Sequence, residues 1–176
     1  MSIIITILLV LAAVIALLLI MALFMRKEHH VKREIVINAP RQKVFDFVKL
    51  LENQEKFNKH AMVALDRKKE SKGTDGTVGY IYAWSGNKNA GVGEKEIKSI
   101  IEGKRVEMEI RFTKPMVASA TIILETESLP DDQTKVSWSN AGTLKYPVNI
   151  FIPMMEKNVA KDMDISLSTL KNILEK

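Results

Sequence analysis

Apolar positions follow three regimes along this chain. From Ile3 to Met25 they form an unbroken run whose only polar side chain is Thr6. As a helix rising about 1.5 Å per residue, this run reaches roughly 35 Å, slightly more than the ~30 Å hydrocarbon thickness of a bilayer, so it predicts one tilted transmembrane span. From Ala61 to Leu144 the period becomes two, the signature of strands with one buried face. Val106, Met108, Ile110 and Phe112 alternate with Arg105, Glu107, Glu109 and Arg111, and the same rhythm runs through Val78, Tyr80, Tyr82 and Trp84. It returns at Ala118, Ala120, Ile122 and Leu124, and again at Val136 and Trp138. After Pro147 the period is helical: Met155, Val159, Met163, Leu167, Leu170 and Leu174 make one stripe from about Pro153 to Glu175.

The stretch between anchor and meander mixes both patterns. Arg33 to Asn38 reads as a strand, and Asn38-Ala-Pro40 then marks a helix start whose apolar face is Val44, Phe45, Val48 and Leu51. A second short helix is expected around Glu52 to Asn58. Turns are expected at Gly86–Asn89, Glu102–Lys104 and Leu129–Gln133, where turn-forming residues separate alternating runs. Short connections between consecutive strands imply an antiparallel meander of about six strands closed by the long helix, an α+β arrangement. The expected organisation is therefore an anchor and flank over 1–26, a juxtamembrane linker over 27–32 and one domain over 33–176.

Charge adds orientation. The net charge is +5, and every ionisable side chain lies after the apolar run. Arg26, Lys27, Lys32 and Arg33 follow the span closely, which places that flank in the cytoplasm and the N-terminus outside, at the inner face of a plasma membrane. A cleaved signal peptide would need a basic leader, a shorter core and an Ala-x-Ala site; the sequence offers none of these. The absence of Cys agrees with a reducing compartment. A mildly basic domain beside an anionic leaflet gains some attraction to it. Nucleic acid is not expected as a partner: the basic residues are interspersed with Glu and Asp, and Arg67-Lys68-Lys69 reads as a solvated loop.

Three segments in order resemble a known superfamily: Asn38-Ala-Pro-Arg-Gln-Lys-Val-Phe-Asp-Phe-Val48; Gly79-Tyr-Ile-Tyr-Ala-Trp-Ser-Gly-Asn87 with Gly91-Val-Gly-Glu94; and Val159-Ala-Lys-Asp-Met-Asp-Ile-Ser-Leu-Ser-Thr-Leu-Lys171. Together they are similar to the SRPBCC superfamily, in its polyketide cyclase/dehydrase-like (START-like, Bet v 1-like) branch, over about Val31 to Lys176. Where relatives often carry Gly-Lys-Asp-Phe-x-x-Gly-Leu, this chain has Ala160-Lys-Asp-Met163 and Ser166-Leu167. The resemblance implies a helix-grip fold, a curved antiparallel sheet wrapped around the C-terminal helix with an elongated apolar cavity between them. Within such a cavity Tyr80, Tyr82, Trp84 and Trp138 would supply aromatic walls, and Met108, Met116, Met154, Met155 and Met163 an adaptable lining. Ile110, Phe112 and Asn140 complete the candidate ligand-binding set.

Signals for catalysis are poor. There is no Gly-x-Ser-x-Gly, phosphate loop, dinucleotide fingerprint or Cys nucleophile. His29 and His30 are chain neighbours and His60 is isolated, so no metal site is expected, and no cofactor is implied. Glu94/Glu96 and Glu107/Glu109 fall on the solvent face of their strands and read as surface charge. Asn140 and Tyr82 are the first polar groups to consider pointing inward. The favoured expectation is a membrane-anchored binder or carrier of a hydrophobic small molecule or lipid. The alternatives are a polyketide cyclase/dehydrase-like enzyme on a small hydrophobic substrate, and a membrane-tethered interaction or stress-response module without a ligand.

Overall fold

The computed structural model describes residues 3–63, 67–86 and 91–176. The apolar run forms helix α1 (Ile3–Phe24), exposed along nearly its whole length and, by length and composition, able to cross a membrane. Strand β1 (Glu28–Ile37) follows after only three residues. The stretch 27–32, expected as a linker, is thus mostly paired strand: Glu28 to Lys32 lie opposite Thr143 to Ser139. Its pattern is hidden because His29 and Val31 face inward while Glu28, His30 and Lys32 face solvent, so only one inward side chain in that stretch is apolar.

Three short helices cross to the meander: α2 (Arg41–Lys49), α3 (Leu51–Gln54) and α4 (Lys59–Val63). Where one helix over Glu52 to Asn58 is expected, α3 ends at Gln54 and a turn follows, and α4 starts only at Lys59. Helix α2 begins directly after Pro40 and buries Val44, Phe45 and Val48 completely. Burial of each such side chain contributes roughly 1.5–3 kcal/mol. The six meander strands are β2 (Lys68–Lys72), β3 (Ile81–Ser85), β4 (Val92–Ile101), β5 (Arg105–Lys114), β6 (Ala118–Leu129) and β7 (Gln133–Thr143). With β1 they form one antiparallel sheet in the order β1-β7-β6-β5-β4-β3-β2. The β6–β7 turn holds Asp131 and Asp132 at φ of 60° and 55°, a left-handed pair that Asp tolerates and tight hairpins require. The expected turn at Gly86–Asn89 lies almost wholly outside the described residues.

Helix α5 (Ile152–Leu174) is preceded by a 3₁₀ turn, Val148–Phe151, and buries Ala160, Met163, Leu167, Leu170 and Leu174 against the concave face of the sheet. The fold is a helix grip. Its interior is uneven. At the end of the sheet where β1 finishes, α2 and Leu51 fill the space beneath Ile97, Val106, Met108 and Leu124. At the opposite end, marked by Glu28, Thr143, Ala118 and Lys114, no helix comparable to α2 covers the sheet among the described residues.

That open end is also where α1 attaches. The Asn149 side-chain amide donates to the carbonyls of Ala22 (2.7 Å) and Met25 (3.0 Å), and Leu144 N–H donates to the Lys27 carbonyl (2.8 Å). Arg26 pairs with Glu156 at 2.5 Å. Helix-end carbonyls need such partners because the helix itself supplies none.

Candidate functional site

Two adjoining chambers lie between the concave face and α4–α5 at the end of the sheet next to α1. The inner one, about 320 Å³, is lined by Tyr82, Trp84, Lys95, Ile110 and Phe112 from the sheet, and by Leu51, Glu55, Asn58, His60, Ala61 and Arg67 from the crossing segment. Gly91, Lys114 and Pro115 complete it. The outer one, about 200 Å³, is bounded by β5–β7 and α5 through Ile110, Phe112, Ala118, Ala120, Ile122, Trp138, Asn140, Met155, Val159 and Met163, with His29 contributed by β1. Asn58, His60, Ile110 and Phe112 line both. Together these chambers reach the 300–1,000 Å³ usual for small-molecule sites.

Local sequence explains the walls. Trp84 and Phe112 meet edge to face with centroids 5.7 Å apart, across Gly93. A Cβ at Gly93 would stand 2.7 Å from the Arg111 carbonyl oxygen and 2.8 Å from the Trp84 ring, so only glycine lets that indole lie flat on β4. Phe57 packs edge-on against Trp138 at 6.1 Å.

Eight of the ten expected site residues line the chambers: Tyr82 and Trp84 the inner, Trp138, Asn140, Met155 and Met163 the outer, Ile110 and Phe112 both. Tyr80 and Met108 do not. They are buried in the packed half of the interior, where the strand face that lines the cavity at one end meets α2 and Leu51 at the other. Met116 and Met154 are also outside, exposed at the rim.

Sequence reasoning missed the polar floor of the inner chamber. Arg67, expected in a solvated loop, is turned inward with its side chain 6% exposed, and β2 is the paired strand that follows it. Arg67 and Tyr82 both donate to Oε2 of Glu55, the latter at 2.8 Å, and Lys69 Nζ lies 3.1 Å from the same oxygen. Burial pushes Glu55 up, but these donors outweigh it and hold the carboxyl below its usual range. Burial and then the bond to Glu55 drive the Tyr82 phenol well above its usual value. Lys95 is buried and donates to Gln54 Oε1 at 3.0 Å; burial pulls its ammonium down to about 8. The Arg67 Nε–H has no partner among the described residues.

The polar side chains of the outer chamber include no Lys or Arg among the described residues. His29 Nε2 lies 3.1 Å from Asn140 Oδ1. Among the described residues, His29 Nδ1 and the buried Trp138 indole N–H have no partner. The imidazole fits only because residue 142 is glycine: a Cβ there would come within 2.7 Å of the ring. Asp162 closes this chamber, paired with Lys59 and with His60 at 3.1 Å. On the convex face Arg111 gathers Glu94, Glu96 and Glu109 within 2.5–2.8 Å, so those carboxylates serve surface ion pairs away from the cavity.

Comparison with known families decides the kinship. Residues 28–175 match the family described as polyketide cyclase/dehydrase and lipid transport. The chain belongs to that family. No curated protein sequence matches it. Among solved structures, this polyketide cyclase/lipid transport domain is similar to a hypothetical protein of Helicobacter pylori (TM-score 0.65, 10% identity, covering 83% of this chain and 88% of that one). It is also similar to protein MLL2253 of Mesorhizobium loti (TM-score 0.63, 13% identity, 84% and 97% covered). Ara h 8.0201 shares the fold as well (TM-score 0.54, 14% identity, 81% and 98% covered). At these identities the likeness establishes the helix-grip architecture.

Proposed function

We propose that the protein is a membrane-anchored binder or carrier of a hydrophobic small molecule or lipid, held in the two chambers between sheet and α5. The observation that carries this reading is the coincidence of three features at one end of the sheet: the cavity, the attachment of α1 and an exposed apolar rim. Val117 on the β5–β6 turn is 84% exposed, and Phe151 just before α5 is 54% exposed; Phe24 at the end of α1 and Met154 in the first turn of α5 are exposed as well. A guest leaving the bilayer at this end crosses little water, and each methylene it buries contributes about 0.8 kcal/mol.

The family's breadth leaves an enzyme reading to weigh, and the polar floor weighs against it. Glu55 is held ionised and Tyr82 neutral, so neither exchanges a proton near neutrality, and within this floor an acid–base mechanism would rest on Lys95. The basic flank of α1 orients the domain to the cytoplasmic leaflet.

The test compares the full chain with Ala120→Phe, which fills the outer chamber. Both are purified in the same detergent, extracted into organic solvent and quantified by mass spectrometry. The wild type is expected to carry one class of apolar molecule in near-stoichiometric excess over the variant. Equal lipid on both would refute the reading.

A further inference from the structure

The inner chamber is electrically unbalanced. Arg67 and Lys95 bring two buried cations to its floor and the exposed Lys114 adds a third to its lining, while Glu55 is the one carboxylate that lines it among the described residues. Among the described residues, Lys95 spends one of its three N–H donors, on a neutral amide, and Arg67 spends an Nη on Glu55 and keeps its Nε–H unpartnered in a side chain 6% exposed. Buried cations with unused donors are costly unless an anion joins them.

We propose that this floor is a carboxylate subsite and that the guest is a long-chain carboxylic acid, its head between Arg67 and Lys95 and its chain running past Ile110 and Phe112 toward Trp138. The inference rests on the carrier reading and names its ligand class. A carboxylate supplies the two oxygens that the Arg67 Nε–H and the Lys95 ammonium lack, in charge-assisted bonds about twice as strong as neutral ones. The guanidinium lies 5.9 Å from the Trp84 ring centroid, which holds its plane against the wall. The opposite orientation is disfavoured, because among the described residues no Lys or Arg lines the outer chamber, and its Asp162 carboxylate is already paired with Lys59. Burial has already lowered the Lys95 ammonium to about 8, and a bound anion relieves that cost.

Both tryptophans of the chain, Trp84 and Trp138, line the cavity, one in each chamber. The experiment therefore titrates the full chain in phosphatidylcholine nanodiscs with 12-bromododecanoic acid and with 12-bromododecan-1-ol, reading bromine quenching of tryptophan fluorescence. The acid is expected to bind at least ten-fold more tightly than the alcohol. The acid-to-alcohol ratio is expected to fall toward one in Arg67→Gln and in Lys95→Met, with near-ultraviolet circular dichroism verifying that each variant is folded. Acid quenching should persist in Trp84→Phe and vanish in Trp138→Phe, because the brominated tail sits by Trp138. Equal affinity for acid and alcohol, a ratio unmoved by both floor variants, or quenching confined to Trp84 overturns the inference while leaving a carrier of neutral guests. Quenching by neither probe overturns the carrier reading and this inference with it.

Discussion

Lys95 shows at the scale of one side chain what the cavity costs. Its ammonium, pulled from 10.5 to about 8 by burial, destabilises the folded state by about 3 kcal/mol while it stays charged, since each tenfold loss of proton affinity corresponds to about 1.4 kcal/mol. The unfolded chain keeps its proton up to about 10.5 and the folded chain only to about 8, so between these values the unfolded state binds more protons and stability rises with pH. Below 8 the penalty is present in full. Lys95→Met removes the charge but strands Gln54 Oε1, at a cost of roughly 1–2 kcal/mol. Without a guest, the variant is therefore expected to be more stable than wild type by about 1–2 kcal/mol at pH 7 in urea titrations, an advantage that shrinks above pH 8 and reverses before 10.5, where only the stranded Gln54 oxygen counts. A variant less stable at pH 7 would show that Lys95 is satisfied by its surroundings and is not held there for a guest. A group that weakens the fold and faces the cavity is most simply explained by what it binds.

At the scale of elements, the connection between α1 and the domain is a joint with named parts. Asn149 is fully buried, and its amide serves two carbonyls at the end of α1. Asn149→Ala removes both donors and should loosen the junction by about 1–2 kcal/mol, which corresponds to trypsin cutting after Arg26 and Lys27 about 5–30 times faster when opening is rapid relative to cleavage. The melting temperature of the sheet should move far less, because α1 contributes only Ala22 to the buried interior. An unchanged cleavage rate would mean that the neighbouring Leu144 and Glu156 contacts hold the joint without Asn149. Sequence pattern revealed some elements and hid others for one physical reason. Strand β5 and helix α5 each show one apolar face to the core and one charged face to water, so their periods stand out; α5 begins and ends within one residue of the expected bounds. Strand β2 lies at the sheet edge with every residue exposed, and the inward positions of β1 near α1 include a histidine, so neither carries an alternation to read. The aromatic walls were legible because Tyr82 and Trp84 are two apart on one strand. The polar floor was not: Glu55, Arg67 and Lys95 come from three separate segments, and only folding brings them together.

At the scale of the whole molecule, the direction of α5 and the register of β1 on β7 place the cavity mouth, the rim and α1 at the same end. If α1 spans a bilayer, the joint through Asn149 leaves the domain little freedom to swing its rim away from the leaflet, and Val117 and Phe151 should sit among headgroups and acyl chains. Their exposure makes no sense as core packing, and a few apolar side chains at such an interface add to binding in proportion to the area they bury. Because the chain has no Cys, Val117→Cys creates a single thiol for an environment-sensitive fluorophore, and Asp131→Cys at the far end of the β6–β7 hairpin makes the control. In liposomes carrying spin-labelled lipid, the fluorophore at 117 is expected to be blue-shifted and strongly quenched, and the one at 131 to behave as in water. Intermediate quenching at both sites would indicate a domain that tumbles on its tether, and water-like emission at 117 would indicate a rim held clear of the membrane. In either case the guest would have to cross water to reach the cavity, and the geometric advantage of anchoring at this end of the sheet would be lost.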